Sequence, residues 1–225
     1  MSVKDKYTVR SIPAEETKEW LLYKHYAKRL PCIEYSFGLF SDVLNGVATF
    51  GTPVSSNLRN AFGDTFKMIE LNRLCVNDGL DKNILSFFVS KALLLLPVPL
   101  IVVSYADTDH GHHGYIYQAT NWIYTGLSAK RTDWKIKGLE HLHGATIADI
   151  SRGKENRAQY MRDVYGDNFY LEERSRKHRY FYFIGTKKDK KRMRELLPYA
   201  ICEYPKGDNQ RYDASYKPTI QTSLF

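Results

Sequence analysis

Three stretches of this 225-residue chain carry side chains whose chemistry goes beyond packing. The first is the turn Val76-Asn77-Asp78-Gly79-Leu80-Asp81-Lys82-Asn83, set between a β-rich run and an apolar helix. A turn feeding a helix N-terminus offers unpaired backbone N–H groups to an anion, and Lys82 adds a charge of the right sign. Two readings stand side by side: a plain structural turn, or a seat for the pyrophosphate of a nucleotide-like cofactor such as coenzyme A. Neither the nucleoside-triphosphate P-loop nor the dinucleotide G-x-G-x-x-G pattern is present. The second stretch gathers Asp107, Asp109, His110, His112 and His113. Their spacing matches no closed zinc pattern, so it reads as a solvated loop beside a polar substrate and no metal is assigned. Further on, His141-x-His143 would set two imidazoles on one strand face, without a third ligand.

The third stretch is basic and aromatic together: Lys177-His178-Arg179-Tyr180-Phe181-Tyr182-Phe183, followed by Lys187, Lys188, Lys190 and Lys191. On a strand, Arg179, Phe181 and Phe183 share one face, and His178, Tyr180 and Tyr182 the other. Cations track phosphates without reading sequence, while an aromatic ring stacks on a base or takes its place. The total charge sharpens this. Between Arg152 and Arg194 there are 14 Lys/Arg and six Asp/Glu, net +8, and the rest of the chain is balanced at 19 of each. The whole excess of the molecule, +8, sits in one C-terminal stretch, which favours a polyanionic partner.

The elements that must hold these residues follow from pattern. Tyr7 to Ile12 reads as a strand. Pro13 starts a helix running through Arg29, with Glu15, Glu16 and Glu19 at the positive end of its dipole. Strands are expected at Glu34–Phe40 and Gly46–Phe50, joined by a turn at Asn45-Gly46, and again at Phe66–Val76. Asp81 or Asn83 caps a helix containing Ile84 to Leu96. The apolar strand Leu100–Tyr105, a short helix Tyr115–Asn121 and a strand from Trp122 come next. Beyond them the pattern indicates a helix at Glu155–Tyr165, a strand at Arg179–Ile184, a basic helix at Lys188–Leu197 and an extended tail. This order predicts an α/β (α+β) mixed sheet wrapped by helices. Residues 1–150 would form the core, and 151–225 a basic C-terminal part of the same domain.

Composition excludes several classes. At 43% hydrophobic and 26% charged residues the chain can build a core. Ile84 to Val103 is interrupted by Lys91, Pro97 and Pro99, which argues against a membrane span. Cys32, Cys75 and Cys202 lie far apart, with no C-x-x-C pair. The expectation is a protein of the cytoplasm, with no membrane partner.

Several segments together resemble the Mom family of bacteriophage DNA-modification proteins, which have a GNAT-like acyltransferase fold. They are Lys24 to Pro31 (KHYAKRLP), Gly46 to Gly51 (GVATFG), Glu70 to Asn83 (ELNRLCVNDGLDKN), Ser104 to Asp107 (SYAD), Gly114 to Gly126 (GYIYQATNWIYTG) and Lys177 to Tyr180 (KHRY). The resemblance implies addition of a carbamoylmethyl (acetamido) group to adenine N6 in phage DNA, protecting it from host restriction. Tyr117 then matches the tyrosine that protonates a departing thiolate, and Asp107 a base or substrate anchor. Cofactor contacts, to acetyl-CoA or a related acyl donor, are implied for Cys75, Val76, Lys82, Asn83 and Ser86. Lys82 stands where the family tends to have Arg, which keeps the charge and loses the planar fork. His25, Tyr26, Ser104 and Tyr105 are expected at the acceptor side. Lys177, His178, Arg179 and the four lysines from Lys187 are expected on double-stranded DNA. A flipped target base is required, because the N6 amine is paired and its lone pair delocalised. A homodimer fits the same picture, since two basic faces add avidity. Two other functions are open to this sequence: acyl transfer to another amine (a modified pyrimidine, a tRNA-linked amino acid or a protein), and DNA binding without catalysis.

Overall fold

A computed structural model describes residues 2–142 and 144–207. The chain divides into two compact units, 1–126 together with 178–225, and 127–177. The boundary expected at residue 150 falls inside the second unit.

The first unit is built on a seven-stranded sheet of order β1-β2-β3-β4-β5-β9-β6. Its strands are β1 Thr8–Ser11, β2 Tyr35–Phe40, β3 Leu44–Gly51, β4 Met68–Val76, β5 Leu100–Asp107, β6 Ile123–Leu127 and β9 Lys177–Ile184. The neighbours from β1 to β4 are antiparallel, whereas β4 and β5 are parallel. The helices are α1 Val3–Lys6, α2 Ser56–Phe62, α3 Ile84–Leu94, α4 Tyr115–Ala119 and α7 Lys187–Glu195. The β5–α4–β6 order and the mixed sheet meet the α/β expectation.

Alternation along the strands sorts two cores. Leu100 and Val102 of β5 join Phe50, Ile69, Tyr180 and the buried face of α3 (Phe88, Val89, Leu93). Ile101 and Val103 face the other way, with Leu58 and Phe62 of α2, Phe181 and Phe183 of β9, and Met193 of α7. Each large side chain fully buried in this way contributes roughly 1.5–3 kcal/mol relative to exposure. The aromatics of β9 thus fall on alternate faces as their spacing predicts, but both faces are core. Tyr180 and Phe181 are fully buried, so neither offers a ring to a base.

Two local expectations are corrected. The Asn45-Gly46 pair is not the hairpin turn, which falls at 41–43; both residues lie in β3. Asn45 closes the turn from within the strand, its side-chain amide donating to Ser41 Oγ and Val43 O at 2.8 and 2.9 Å. Gly46 is needed there for closeness, because a Cβ would stand 2.6 Å from Val76 Cγ1. The first helix is also shorter than expected. It begins as a 3-10 turn, Ala14–Thr17, and ends as a π-turn, Trp20–Lys24, with His25 N donating to Trp20 O at 2.9 Å. His25 is extended, so His25 and Tyr26 follow the helix instead of lying on it.

The second unit pairs β7 Arg131–Ile136 antiparallel with β8 Phe169–Arg174, and adds α5 Gly144–Asp149 and α6 Arg157–Tyr165. It has its own core of Ile136, Ile147 and Met161, with Trp134 and Phe169 packed against it. Neither strand was expected, because Arg131–Ile136 and Phe169–Arg174 are too charged to show an apolar alternation. His141 lies in a turn and not on a strand; His143 and the tail from residue 208 lie outside the described residues.

Candidate active site

The parallel pair β4–β5 is in register over Met68↔Ile101, Ile69↔Val102 and Glu70↔Val103, and no further register pair is formed among the described residues. Where the ladder stops, a side chain takes over. Ser104 Oγ lies 2.7 Å from Leu71 O and 2.8 Å from Tyr117 Oη. The carbonyl can only accept, so the single Ser104 proton goes to Leu71 and the Tyr117 hydroxyl donates to Ser104. Tyr117 is therefore held by one hydroxyl at the point where the two strands part.

Helix α4 delivers Tyr117 to that point. Gly114, at φ +74°, starts the helix, and a Cβ there would stand 2.5 Å from the Tyr180 ring, so the close approach of α4 to β9 requires glycine. Around Tyr117 stand Trp122 and Tyr180, with ring centroids at 5.0 and 5.1 Å. Burial in this aromatic setting pushes the Tyr117 phenol well above its ordinary value, and the neighbouring Ser104 hydroxyl only partly offsets it. Behind it, Tyr180 Oη donates to His113 O at 2.5 Å, and Tyr124 Oη bonds the buried His178 at 2.7 Å. His178 is thus a core residue, held below the usual imidazole range first by burial and then by His113.

Asp107 ends β5, is buried, and accepts a bond from Asp109 N at 3.2 Å, which caps a short 3-10 turn, Thr108–His110. That turn returns His110 and His112 toward the segment after the π-turn. The Tyr26 ring lies 4.4 Å from His25, 4.4 Å from His110 and 6.2 Å from His112. His25 Nδ1 accepts from Ala27 N at 3.1 Å, which leaves the ring proton on Nε2. Burial first, then the charge of Arg73 and the two other imidazoles, lower its pKa to about 3, so His25 is neutral at physiological pH.

Arg73 and Glu70 were not singled out in the sequence, yet both act here. Arg73 lies on β4 beside His25 and Tyr26, and Glu70 reaches both Arg73 and Tyr117 electrostatically. Arg73 donates to Asn72 O at 2.6 Å and Arg29 O at 3.4 Å, while its Nε is a buried donor with no hydrogen-bond partner among the described residues. A cation in an alternating strand reads as a solvent-facing residue, so only the packing exposes its place.

The remaining candidates divide. Lys82 and Asn83 are exposed in the turn before α3, and Ser86 Oγ donates to Asn83 O at 2.9 Å. Asn83 occupies the N-cap in a left-handed conformation (φ +67°) without a side-chain cap bond, so the first N–H groups of α3 are not satisfied by that side chain. Asp78 and Asp81 are drawn aside, Asp81 by Lys6 at 3.1 Å and Asp78 by the buried Lys24 at 3.9 Å. Gly79, at φ +74°, has open space where a Cβ would be. Of the backbone donors here, Asn77 N is taken by Asn45 O at 2.8 Å and Ile84 N by Asp81 O at 3.2 Å, so a pyrophosphate would have to be held by Lys82 and the remaining N–H groups. Cys75 and Val76 are different: Cys75 is buried with Trp20, Leu21 and Val47, and Val76 packs against the α3 core. Neither side chain is in the turn. Tyr105 points to the face opposite Ser104, packing with Phe66 and Ile123. Arg179 is also held there, donating to Thr125 Oγ1 and O at 2.9 and 3.1 Å and lying over the Tyr199 ring at 3.3 Å. Lys177 is half-buried, whereas Lys187, Lys188, Lys190 and Lys191 are all exposed on α7.

A mixed sheet whose parallel strands β4 and β5 part beside a tyrosine from the following helix is a GNAT-like fold. Within that class the chain belongs to the Mom protein family, whose model matches residues 6–206. It is 31% identical over 192 residues to the methylcarbamoylase Mom of Escherichia phage Mu, covering 81% of this chain and 77% of that protein. Two solved structures also overlap it: a GNAT-family acetyltransferase from Bacillus cereus ATCC 10987 (TM-score 0.39, 11% identity, 79% of this chain and 96% of that one), and the putative acetyltransferase yncA of Salmonella typhimurium with its cofactor acetyl-CoA (TM-score 0.42, 9% identity, 79% and 93%). The strand order and the parting of β4 from β5, not these loose overlaps, define the fold.

Proposed function

We propose that the protein modifies phage DNA, transferring a carbamoylmethyl (acetamido) group to adenine N6 and so shielding the DNA from host restriction. The observation that carries this is the buried Tyr117–Ser104 pair where β4 and β5 part, in a chain related to a methylcarbamoylase. A coenzyme A-linked donor such as acetyl-CoA would rest its pyrophosphate on the turn 77–83 and the start of α3. The transfer itself forms a bond from N6 to the methylene carbon of the carbamoylmethyl group and breaks that carbon's bond to its carrier, whereas attack on a thioester carbonyl would give an N6-amide. Tyr117 gives its proton to the leaving group, a role suited to a phenol kept protonated by burial. Asp107 takes or orients the amine proton. Neutral His25, with Nε2–H as a donor, and the Tyr26 ring line the acceptor side, where a flipped base would stack and be hydrogen-bonded.

DNA would be held through α7. Its six cations are exposed while Met193 anchors it in the core with Met68, Ile101 and Phe183. The lysines then neutralise backbone and steer the duplex, and the reading of the base falls to the site. Digestion of DNA from expressing cells to nucleosides, followed by mass spectrometry, tests the proposal: a new adenosine-derived nucleoside is expected. Its appearance on another base or amine would favour a different acceptor, and DNA binding without any product would favour the non-catalytic reading.

A further inference from the structure

We infer that Ser104 is a positioning residue that works as a two-position hydrogen-bond switch for Tyr117. This deepens the reading of Tyr117 as the acid of the site and rests on it. In the observed position the Ser104 hydroxyl donates to Leu71 O at 2.7 Å and accepts from Tyr117 Oη at 2.8 Å. The Tyr117 proton therefore points at Ser104 and not toward a substrate. It has nowhere to go along this chain, because the Leu71 carbonyl takes no proton at ordinary pH. Ser104 is not a relay.

The second position appears when Tyr117 turns its O–H outward and transfers the proton to an anionic leaving group. The O–H bond of Tyr117 breaks, the leaving group becomes neutral, and the electron pair stays on the phenol oxygen as phenolate. That oxygen is now acceptor-only, buried, and 2.8 Å from a hydroxyl that can rotate toward it. Ser104 exchanges a neutral bond to Leu71 O for a charge-assisted bond to the phenolate, the stronger of the two. The rings that enclose Tyr117, Trp122 and Tyr180, stabilise the neutral phenol by excluding water. Among the other titratable groups facing Tyr117, Tyr26 and Glu70 also disfavour the phenolate. Ser104 is the group that offsets them. The position of Ser104 explains why it is available: the β4–β5 ladder ends at Glu70↔Val103, so Leu71 has no register partner on β5 and its carbonyl holds Ser104 only as a resting partner.

The test uses the full chain with 2,3,5-trifluorotyrosine at position 117, whose more acidic phenol brings its ionisation into an accessible range, read by fluorine NMR. Relative to Ser104, Ser104→Ala is expected to raise the titration midpoint by roughly one pH unit, and Ser104→Thr, which keeps the hydroxyl, to restore it. Should Ser104→Ala fail to fold, Ser104→Cys, a weak donor, is expected to show an upward shift in the same direction. An unchanged midpoint in the folded Ala or Cys variant overturns the switch, as does a Thr variant that stays with Ala. In the modification assay Ser104→Ala is expected to lower kcat with KM kept. A shifted midpoint together with full modification by Tyr117→Phe would leave the switch standing and overturn Tyr117 as the acid, so the two claims fail separately.

Discussion

At the scale of single residues, the site is set by what each polar group can give or take. His25 shows this most simply. A backbone N–H occupies its Nδ1, burial and the neighbouring Arg73 disfavour the imidazolium, and its pKa falls from 6.5 to about 3. The sign follows from linkage: a group that resists protonation when folded contributes stability above its unfolded pKa, and this is lost as pH falls toward the folded one. Between pH 6.5 and about pH 5 the loss is about 2 kcal/mol. Thermal melts across that window should therefore show a falling midpoint for the native protein and a shallower fall for His25→Gln; parallel curves would refute it. The short helix that carries Tyr117 was legible in the sequence, whereas a role for its phenol came only through the family resemblance of the run GYIYQATNW. Ser104 was legible only as a neighbour, because a serine ending an apolar strand looks the same whether it satisfies a carbonyl or holds a reactive phenol. Arg73 was not legible at all, since only packing turns a strand cation inward.

At the scale of elements, most helices and strands of the first unit follow from local pattern, and the exceptions have identifiable causes. Asn45-Gly46 carries the composition of a hairpin turn, but tertiary closeness claims the glycine. In register with Val76, Gly46 lets β3 approach β4 where the strand leads into the turn 77–83. Gly46→Ala is expected to destabilise the protein by about 1–3 kcal/mol, since the clash is with Cys75 O and Val76 as well as a side-chain methyl. Urea unfolding measures it; a midpoint equal to the native one would show that β3 yields freely. The π-turn at Trp20–Lys24 was equally hidden, because apolar spacing does not distinguish the last turn of an α-helix from one that bonds a residue further back. That one change releases His25 and Tyr26 from the helix and lets them meet His110.

At the scale of the whole molecule, the basic excess is sorted by structure into exposed and packed charge. Arg179 is spent on Thr125 and Tyr199, and the aromatics of β9 on the two cores, whereas the cations of α7 stay exposed. Charge counting located the stretch but not this division, which depends on which side of a strand or helix meets the sheet. Replacing Lys187, Lys188, Lys190 and Lys191 by Gln should weaken DNA binding and flatten its dependence on log salt by up to about 3.6, with the fold intact. Binding titrations at several salt concentrations check this, and an unaltered slope would move the DNA contact away from α7.

If the phenol held where β4 and β5 part drives group transfer to a DNA base, removing its hydroxyl must remove the product. Nucleoside mass spectrometry of DNA from cells expressing either the native chain or Tyr117→Phe measures this. A mass-shifted adenosine-derived nucleoside is expected with the native chain, and about a hundredfold less of it with Tyr117→Phe. Equal yields from the two proteins would refute the role of Tyr117.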